Sequence, residues 1–217
     1  MTYAGRLDPM ASGVLLALVG EEVKKKEKYL ALDKEYTFEV LFGFSTDTHD
    51  ILGKILKADS RVNVSTKHLK AEIERNLGSF VGEHLQQYPI YSSKTVSGKP
   101  LFAYARSGTG VEIPARKIRI KKLELKKFKN INSDDLLANI EKRVGKVGGD
   151  FRQKEILQIW RKTLSRQMNQ KFILASFSMN CSSGTYVRVL ADMLGKKIGI
   201  PSLAFSIKRT KVGRYVV

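Results

Sequence analysis

Hydrophobic and polar positions follow regular periods along most of the chain, and changes of period mark its elements. Alternation of period two predicts strands at residues 36–42 and 172–181. The apolar run from Val14 to Val19 predicts a short buried strand. Residues 116–129 alternate between basic and apolar side chains and predict a strand with one cationic face. Further strands are expected at 54–57 and near the end, within 201–215.

Helical spacing of apolar residues predicts five helices, at residues 21–32, 65–77, 133–144, 150–164 and 184–197. Ser65 is expected to cap the second and Gly78 to end it, while Asp150 and Gln153 resemble a capping box. Trp160 lies on an apolar helical stripe and is expected in the core. No repeat or long linker divides the chain, so the pattern predicts one α+β domain over residues 1–217.

Residues 82–110 are rich in Gly, Ser, Tyr and Gln and show little periodicity, apart from a short helix expected at 101–106. A loop-rich insert of this length inside a compact domain is usually functional or disordered. Its rings alternate with cations and could stack on unpaired RNA bases, or could pack the insert onto the core. These rings belong to Tyr88, Tyr91, Phe102 and Tyr104.

The charge of the chain indicates that this α+β domain has a polyanionic partner. Lys and Arg number 39 against 21 Asp and Glu, which gives a net charge of +18. A ribosome-associated or membrane-surface protein could carry a similar total, but nucleic acid is the leading candidate. The cations cluster at Lys24–Lys28 and Arg116–Lys129. A solvated strand face is the alternative for the second cluster.

Several classes of site are not expected. Cys181 is the only cysteine, so no intramolecular disulfide can form, and a reducing, cytoplasmic compartment is expected. We expect Cys181 to pack as a small apolar residue. The histidines, His49, His68 and His84, lack metal-ligand spacing, so no metal is expected. No organic cofactor motif appears either, and the apolar run at 14–19 is too short to cross a bilayer.

The candidate for chemistry is Asp8, which lies in a loop punctuated by Gly5, Pro9 and Gly13. Proline fixes its own φ and biases Asp8 away from helix, while glycine allows tight turns and close approach to a ligand. An Asp-Pro turn or a helix cap would be the ordinary interpretation of an isolated carboxylate here.

The Gly5–Leu15 string resembles the catalytic-aspartate motif of the TruB family of pseudouridine synthases, which isomerise the T-loop uridine of tRNA. Other strings are similar to the same family in the same order. They are Lys34-Glu35-Tyr36, Gly43-Phe44-Ser45-Thr46-Asp47-Thr48-His49-Asp50 with Gly53, residues 87–93, 98–99 and 104–108, Gly184-Thr185-Tyr186-Val187-Arg188, and residues 208–213.

The resemblance implies a pseudouridine-synthase-like fold, with a mixed, largely antiparallel sheet flanked by helices and a loop-rich RNA-binding insert. It implies Asp8 as a covalent nucleophile, Tyr36 against the uracil ring, and Arg188 paired with Asp8. A structural ion pair or a phosphate contact is the alternative for Arg188. The base would be flipped out of its stack, without a metal or organic cofactor.

The resemblance also implies the surroundings of the substrate. Tyr186 and Ile207 are expected to wall the uracil pocket, and Tyr3 stands where many members carry a histidine that displaces the target base. Phosphate contacts are expected from cations in the insert and in the last block, namely Arg106, Lys208, Arg209 and Lys211. The expected partner is the T-arm of tRNA, bound by a monomer.

Two departures from the family pattern carry expectations of their own. Members usually have a Lys-Pro-containing strand before the aspartate motif, whereas seven residues precede Asp8, and many end in a small RNA-binding domain. If the chain is a fragment or starts late, we expect tRNA binding with weak isomerisation. Two alternatives stay open: a catalytically impaired RNA-binding module, or a synthase that acts on another structured RNA such as ribosomal RNA.

Overall fold

The computed structural model describes residues 1–59 and 65–216, which form thirteen strands and six α-helices. The strands are β1 (Thr2–Ala4), β2 (Ala11–Gly13), β3 (Leu16–Leu18), β4 (Lys34–Phe42), β5 (Phe44–Thr46), β6 (Ile55–Ala58), β7 (Gly82–Gln87), β8 (Thr95–Val96), β9 (Lys99–Pro100), β10 (Ala115–Asn132), β11 (Lys171–Cys181), β12 (Ser202–Val212) and β13 (Tyr215–Val216). The helices are α1 (Lys26–Ala31), α2 (Thr66–Leu77), α3 (Leu101–Ser107), α4 (Ser133–Val144), α5 (Gln153–Ser165) and α6 (Val187–Ile198). Short 3-10 turns cover Gly20–Lys25 and Gly78–Phe80.

A seven-stranded sheet organises the chain, with the order β13-β12-β4-β11-β10-β7 and with β2 added beside β12. Among its described pairs, β2 and β12 run parallel and the others run antiparallel. This arrangement confirms the predicted mixed, largely antiparallel sheet. The central strand β4 lies between β11 and β12, and its alternating burial follows the period-two pattern of its sequence.

Hydrophobic clusters cover both faces of the sheet. Alternate residues of β4 and β11 point to opposite faces, so Phe38 and Phe177 join one cluster while Leu41 and Leu174 join the other. Helices α2 and α6 pack on the first face, and α4 and α5 pack on the second. Trp160 is completely buried in the second cluster, which confirms its predicted place in the core.

The short strand predicted at residues 14–19 is present as β3, which pairs with β1, but its predicted burial is wrong. Only Leu18 is buried, while Leu15 and Val19 are exposed. A second short strand, β2, precedes this region and pairs with β12. The chain passes very close to β12 at Gly13, where φ is +106° and an added Cβ would lie 2.1 Å from the carbonyl oxygen of Arg209. Glycine therefore lets the segment after Asp8 lie directly against β12.

The loop-rich insert is shorter than predicted, because residues 82–87 form β7 and pair with β10 at the edge of the main sheet. The short helix predicted at 101–106 is present as α3. Strand β10 is longer than predicted, and an irregularity in its pairing between Ile120 and Lys122 returns Leu123 to the buried face.

Helix ends were predicted with mixed success. Ser65 caps α2 by accepting a hydrogen bond from the backbone N–H of His68, as predicted. Helix α2 ends at Leu77 with Gly78 as its C-cap, also as predicted, and a short 3-10 turn follows over Gly78–Phe80. The capping box at residues 150–153 is wrong: α5 begins at Gln153, and its side-chain oxygen accepts instead from the N–H of Phe151.

Two further observations bear on sequence expectations. Cys181 is fully buried in the first cluster, and burial raises the pKa of its thiol to about 11. Among the residues that the structure describes, no helix is long and apolar enough to cross a membrane.

Candidate active site

Asp8 lies in the loop between β1 and β2, and backbone contacts hold this loop on both sides. The carbonyl of Asp8 accepts a hydrogen bond of 2.8 Å from the N–H of Ala11. The buried guanidinium of Arg209 donates to the carbonyls of Gly5, at 2.9 Å, and Val14, at 2.8 Å. These bonds fix the start and the end of the loop against β12, so the carboxylate is presented by a braced turn.

Arg188, in the first turn of α6, donates two hydrogen bonds to the Asp8 carboxylate. Its Nε lies 3.0 Å from Oδ2 and its Nη2 lies 3.3 Å from Oδ1, and the arginine is only 3% exposed. The same guanidinium donates to the carbonyls of Thr48 and Tyr91, both at 2.8 Å. Burial alone would lower the pKa of Arg188, but the charges of Asp8 and Asp50 outweigh it and raise that pKa. The guanidinium therefore stays charged and aims the carboxylate.

A second carboxylate, Asp50, is buried behind this pair. Its Oδ1 accepts from the Thr48 hydroxyl at 2.7 Å and from the N–H of Leu52 at 2.9 Å. Burial raises the pKa of Asp50, and the nearby charge of Arg188 partly offsets that increase. The Thr/Asp-rich loop is thus tied to the base of the site by its own side chains.

Two cavities meet at Asp8, and both are also lined by Arg6, Leu7 and Tyr186. We call the first, of about 500 Å³, the Tyr36 cavity. We call the second, of about 400 Å³, the Tyr91 cavity. The carboxylate side chain is 24% exposed, so a ligand in either cavity can reach it.

The Tyr36 cavity has an aromatic and aliphatic wall beside a group of cations. Tyr36 is 9% exposed, and burial raises the pKa of its hydroxyl to about 12. Ile207 on β12 lies on the same wall. Lys34 donates to the carbonyls of Leu30 and Leu32, each at 2.6 Å, and burial lowers its pKa to about 8.

Tyr186 lines both cavities and is held by the edge of the sheet. Its backbone N–H donates to the side-chain oxygen of Gln86 at 2.8 Å, while the Gln86 amide donates to the carbonyl of Tyr186 at 3.2 Å. Its ring meets that of Tyr88 edge-on, with centroids 5.8 Å apart. Burial raises the pKa of the Tyr186 hydroxyl, so this residue presents a neutral phenol.

The Tyr91 cavity is lined by rings with arginines over their faces. The guanidinium of Arg152 lies 4.3 Å from the centroid of the Tyr91 ring and pairs with Asp47 at 2.8 Å. Arg106 lies 5.7 Å from the centroid of the Phe102 ring and also donates to the carbonyl of Asp150.

The structure brings most of the residues predicted for the site into these two cavities. The Tyr36 cavity contains Asp8, Tyr36, Tyr186, Ile207 and Arg209, and the Tyr91 cavity contains Asp8, Arg106, Tyr186 and Arg188.

Two predicted substrate contacts, Tyr3 and Arg209, are placed differently from expectation. Tyr3 lines neither cavity, and its hydroxyl accepts from the guanidinium of Arg6. Lys208 is exposed on β12 outside both cavities, and its phosphate contact stays a prediction. Arg209 is 2% exposed and donates to backbone carbonyls, so it braces the Asp8 loop rather than offering a free guanidinium to a phosphate.

Sequence reasoning did not single out Lys34, Asp50 or Arg116 as site residues, although each lines a cavity beside Asp8. A signal existed for Lys34 and Asp50, because both belong to strings that resemble family motifs. Arg116 was one basic residue of a long run, and nothing in that run separates it from its neighbours. Over residues 1–59 and 65–216, no group of three or more His, Cys, Asp or Glu could hold a metal ion.

Comparisons with solved structures bear on the fold. The chain superposes on a protein of the "Crystal Structure of a Cbf5-Nop10-Gar1 Complex" with a TM-score of 0.54 and 15% identity, covering 99% of this chain and 41% of that one. For the "Structure of H/ACA RNP bound to a substrate RNA containing 2'-deoxyuridine" the TM-score is 0.51 at 14% identity, with 99% and 39% covered. The fold is therefore that of the part of each protein that this chain covers.

Comparisons with sequences bear on the family. Proteins called "tRNA pseudouridine synthase B" are 31% identical over 215 residues in Ligilactobacillus salivarius and 34% identical over 213 residues in Caldanaerobacter subterraneus subsp. tengcongensis. These matches cover 99% and 98% of this chain, which spans 59% of the length of each relative. Residues 1–147 match the family described as TruB family pseudouridylate synthase, N terminal domain. The chain therefore belongs to the TruB family of pseudouridylate synthases.

Proposed function

We propose that this chain is a tRNA pseudouridine synthase that isomerises the T-loop uridine, with Asp8 as its nucleophile. The observation that carries the proposal is the pair of hydrogen bonds that the buried Arg188 donates to Asp8, where two cavities meet. Membership of the family and the net charge of +18 support RNA as the substrate class.

The Tyr36 cavity suits a base that has left its stack. Its volume of about 500 Å³ lies in the usual range for small-molecule sites. The rings of Tyr36 and Tyr186 and the side chain of Ile207 offer apolar surfaces to the faces of a planar pyrimidine. Asp8 lines the same cavity, where it can meet the sugar of the flipped nucleotide.

The reaction is an isomerisation, so atoms and electrons balance without an added reagent. The bond between C1′ and N1 breaks, the base turns, and a bond between C1′ and C5 forms. C5 loses a proton and N1 gains one. Asp8 supplies the carboxylate that adds to the nucleotide and is released when the new bond has formed. Tyr36, whose pKa is raised to about 12, is a neutral hydroxyl near pH 7 and can serve as a proton donor.

The test is to incubate the protein with an unmodified tRNA transcript and to map pseudouridine chemically. The wild-type chain should yield pseudouridine at the T-loop uridine. Asp8→Asn should bind the transcript but yield no product, because an amide is not a nucleophile of this kind. Asp134→Asn, on the exposed first turn of α4, removes one carboxylate that lines neither cavity and is the matched control.

Two outcomes would contradict the proposal. Appreciable product from Asp8→Asn would show that Asp8 is not the nucleophile. A wild-type chain that binds tRNA tightly and modifies no uridine would instead favour the RNA-binding module considered from the sequence.

A further inference from the structure

Four cations line the Tyr36 cavity, and three of them donate hydrogen bonds to the protein. Lys34 and Arg209 donate to backbone carbonyls, and Arg6 donates to the hydroxyl of Tyr3. Arg116, on β10, has a buried Nε without a hydrogen-bond partner. Arg116 and Lys34 line the same cavity, and the charge of Arg116 is a minor cause of the lowered pKa of Lys34, after burial. Among the described residues, Arg116 is thus the cation of this cavity for which no hydrogen bond within the protein is found.

The backbone around Arg116 is shaped to receive its guanidinium. Gly184 has φ of +76°, and an added Cβ would lie 1.8 Å from Nη1 and 2.0 Å from Cζ of Arg116. The guanidinium therefore packs directly on the Gly184 backbone, two residues before Tyr186. Arg116 is also paired in register with Gln86, the residue whose amide holds Tyr186. The positions of Arg116 and Tyr186 relative to each other are consequently fixed.

The chemistry of a nucleotide in this cavity requires such a cation. If Asp8 meets C1′, the phosphates on either side of the same ribose must lie close by, within the same cavity or at its mouth. The cavity has positive charge from Arg6, Lys34, Arg116 and Arg209. Besides Asp8, one carboxylate lines it, that of the exposed Glu27. A planar guanidinium with free donors matches the oxygens of a phosphate better than an ammonium does.

We propose that Arg116 binds a backbone phosphate of the target nucleotide and so positions its ribose at Asp8. This role rests on the proposed function, which it deepens by assigning the anchor of the reacting nucleotide. Arg116 is a binding and positioning residue, because phosphate contacts fix register without reading sequence. Gly184 provides the space in which its guanidinium is held.

The experiment measures binding in the Asp8→Asn background, so that turnover does not enter. The probe is a synthetic T-arm hairpin RNA with a single neutral methylphosphonate linkage, moved one position at a time through the loop. Arg116→Gln should weaken binding of the unmodified hairpin by about 10-fold to 100-fold, the range for charge-assisted hydrogen bonds. One linkage beside the target uridine should be the phosphate that Arg116 binds. A methylphosphonate at that linkage should weaken binding to the Arg116→Gln variant little further.

Arg119→Gln is the matched control, since Arg119 is exposed on the same strand and lines neither cavity. It should show no such coupling at that linkage. Gly184→Ala keeps every charge but pushes the Arg116 guanidinium away, so it should also weaken binding and abolish the coupling. Thermal unfolding of each variant reports whether the fold is intact. If Arg116→Gln unfolds, Arg116→Lys provides the same comparison, because it keeps the charge but loses the planar guanidinium with its paired donors.

The assignment of Arg116 would be overturned if Arg116→Gln and the neutral linkage weakened binding independently of each other. In that case their fold-losses in affinity would multiply at every position of the linkage. That result would leave the proposed function standing, since the parent would still bind the hairpin. A parent that does not bind the hairpin at all would overturn both.

Discussion

Two buried arginines organise the site by donating to backbone carbonyls, and one of them, Arg188, also donates to a carboxylate. Arg188 joins Asp8 to the carbonyls of Thr48 and Tyr91, and Arg209 joins the two sides of the Asp8 loop. Each planar guanidinium therefore fixes several segments at once, which a single ammonium could not do with the same geometry. The position of the Asp8 carboxylate depends on both.

Tyr36→Phe should give a folded protein with a large loss of isomerisation rate. The ring can still lie on the cavity wall, but the hydroxyl, which burial keeps neutral with a pKa of about 12, is gone. Loss of one positioned proton donor costs roughly 10²-fold to 10⁴-fold in rate. Single-turnover assays on tRNA transcript would measure it, with Tyr215→Phe, outside both cavities, as the control. A wild-type rate would limit Tyr36 to packing.

Lys34 should make stability depend on pH in a defined direction. Its pKa falls from 10.5 to about 8 on folding, mainly through burial, so the unfolded chain binds more protons between these values. The free energy of unfolding should therefore rise with pH from about 8 to 10.5, by up to about 3 kcal/mol, relative to Lys34→Met. Denaturant unfolding at several pH values measures it. The rise in unfolding free energy with pH should persist in the control Lys117→Met, because Lys117 is exposed. Parallel pH profiles for wild type and Lys34→Met would show that burial does not lower the pKa of Lys34.

At the scale of elements, the cap of α2 offers a direct stability test. The Ser65 hydroxyl oxygen accepts from the N–H of His68 at 3.1 Å and satisfies one free donor of the first turn. Ser65→Ala should lower the free energy of unfolding by about 0.5 to 2 kcal/mol. Ser165→Ala, at the exposed end of α5, should change it by less than about 0.5 kcal/mol. Equal effects in the two variants would show that the cap contributes nothing specific.

Elements were predictable from sequence where burial alone determines the pattern. Strands β4 and β11 have a clear period because both lie inside the sheet. Strands β2 and β3 have three residues each, and their partners rather than their own composition place them. Strand β7 was mistaken for loop because it is an edge strand whose Leu85 is 69% exposed, so its pairing with β10 leaves little trace in the sequence.

The same contrast holds within the site. Asp8, Tyr36 and Arg188 were identified through motifs that resemble a known family. Arg116 could not be distinguished from the other cations of its run, since its unpaired Nε and its seat on Gly184 arise only when distant strands pack together. Arg209 was misread for the same reason, because its burial depends on β2 reaching β12.

For the whole molecule, RNA affinity should fall steeply with salt. The basic runs at residues 24–28, 116–129 and 208–214 should release counterions on binding. With roughly five phosphate contacts, the slope of log affinity against log salt should be about −3.5 to −4.5. Lys208→Gln should reduce the slope by about 0.7 to 0.9, whereas Lys142→Gln on α4 should leave it unchanged. A nearly flat dependence would show that these runs face away from RNA.

The contacts of Arg188 also have a consequence for the order of events during folding. They join residues 180, 140 and 97 positions apart along the chain, so the three loops they connect must be brought together across long stretches of polypeptide. Closing such loops is entropically costly and slow. In refolding from denaturant, helical signal should therefore return first, and the ability to modify RNA should appear only in the last kinetic phase, when the N-terminal loop reaches a sheet that is already formed.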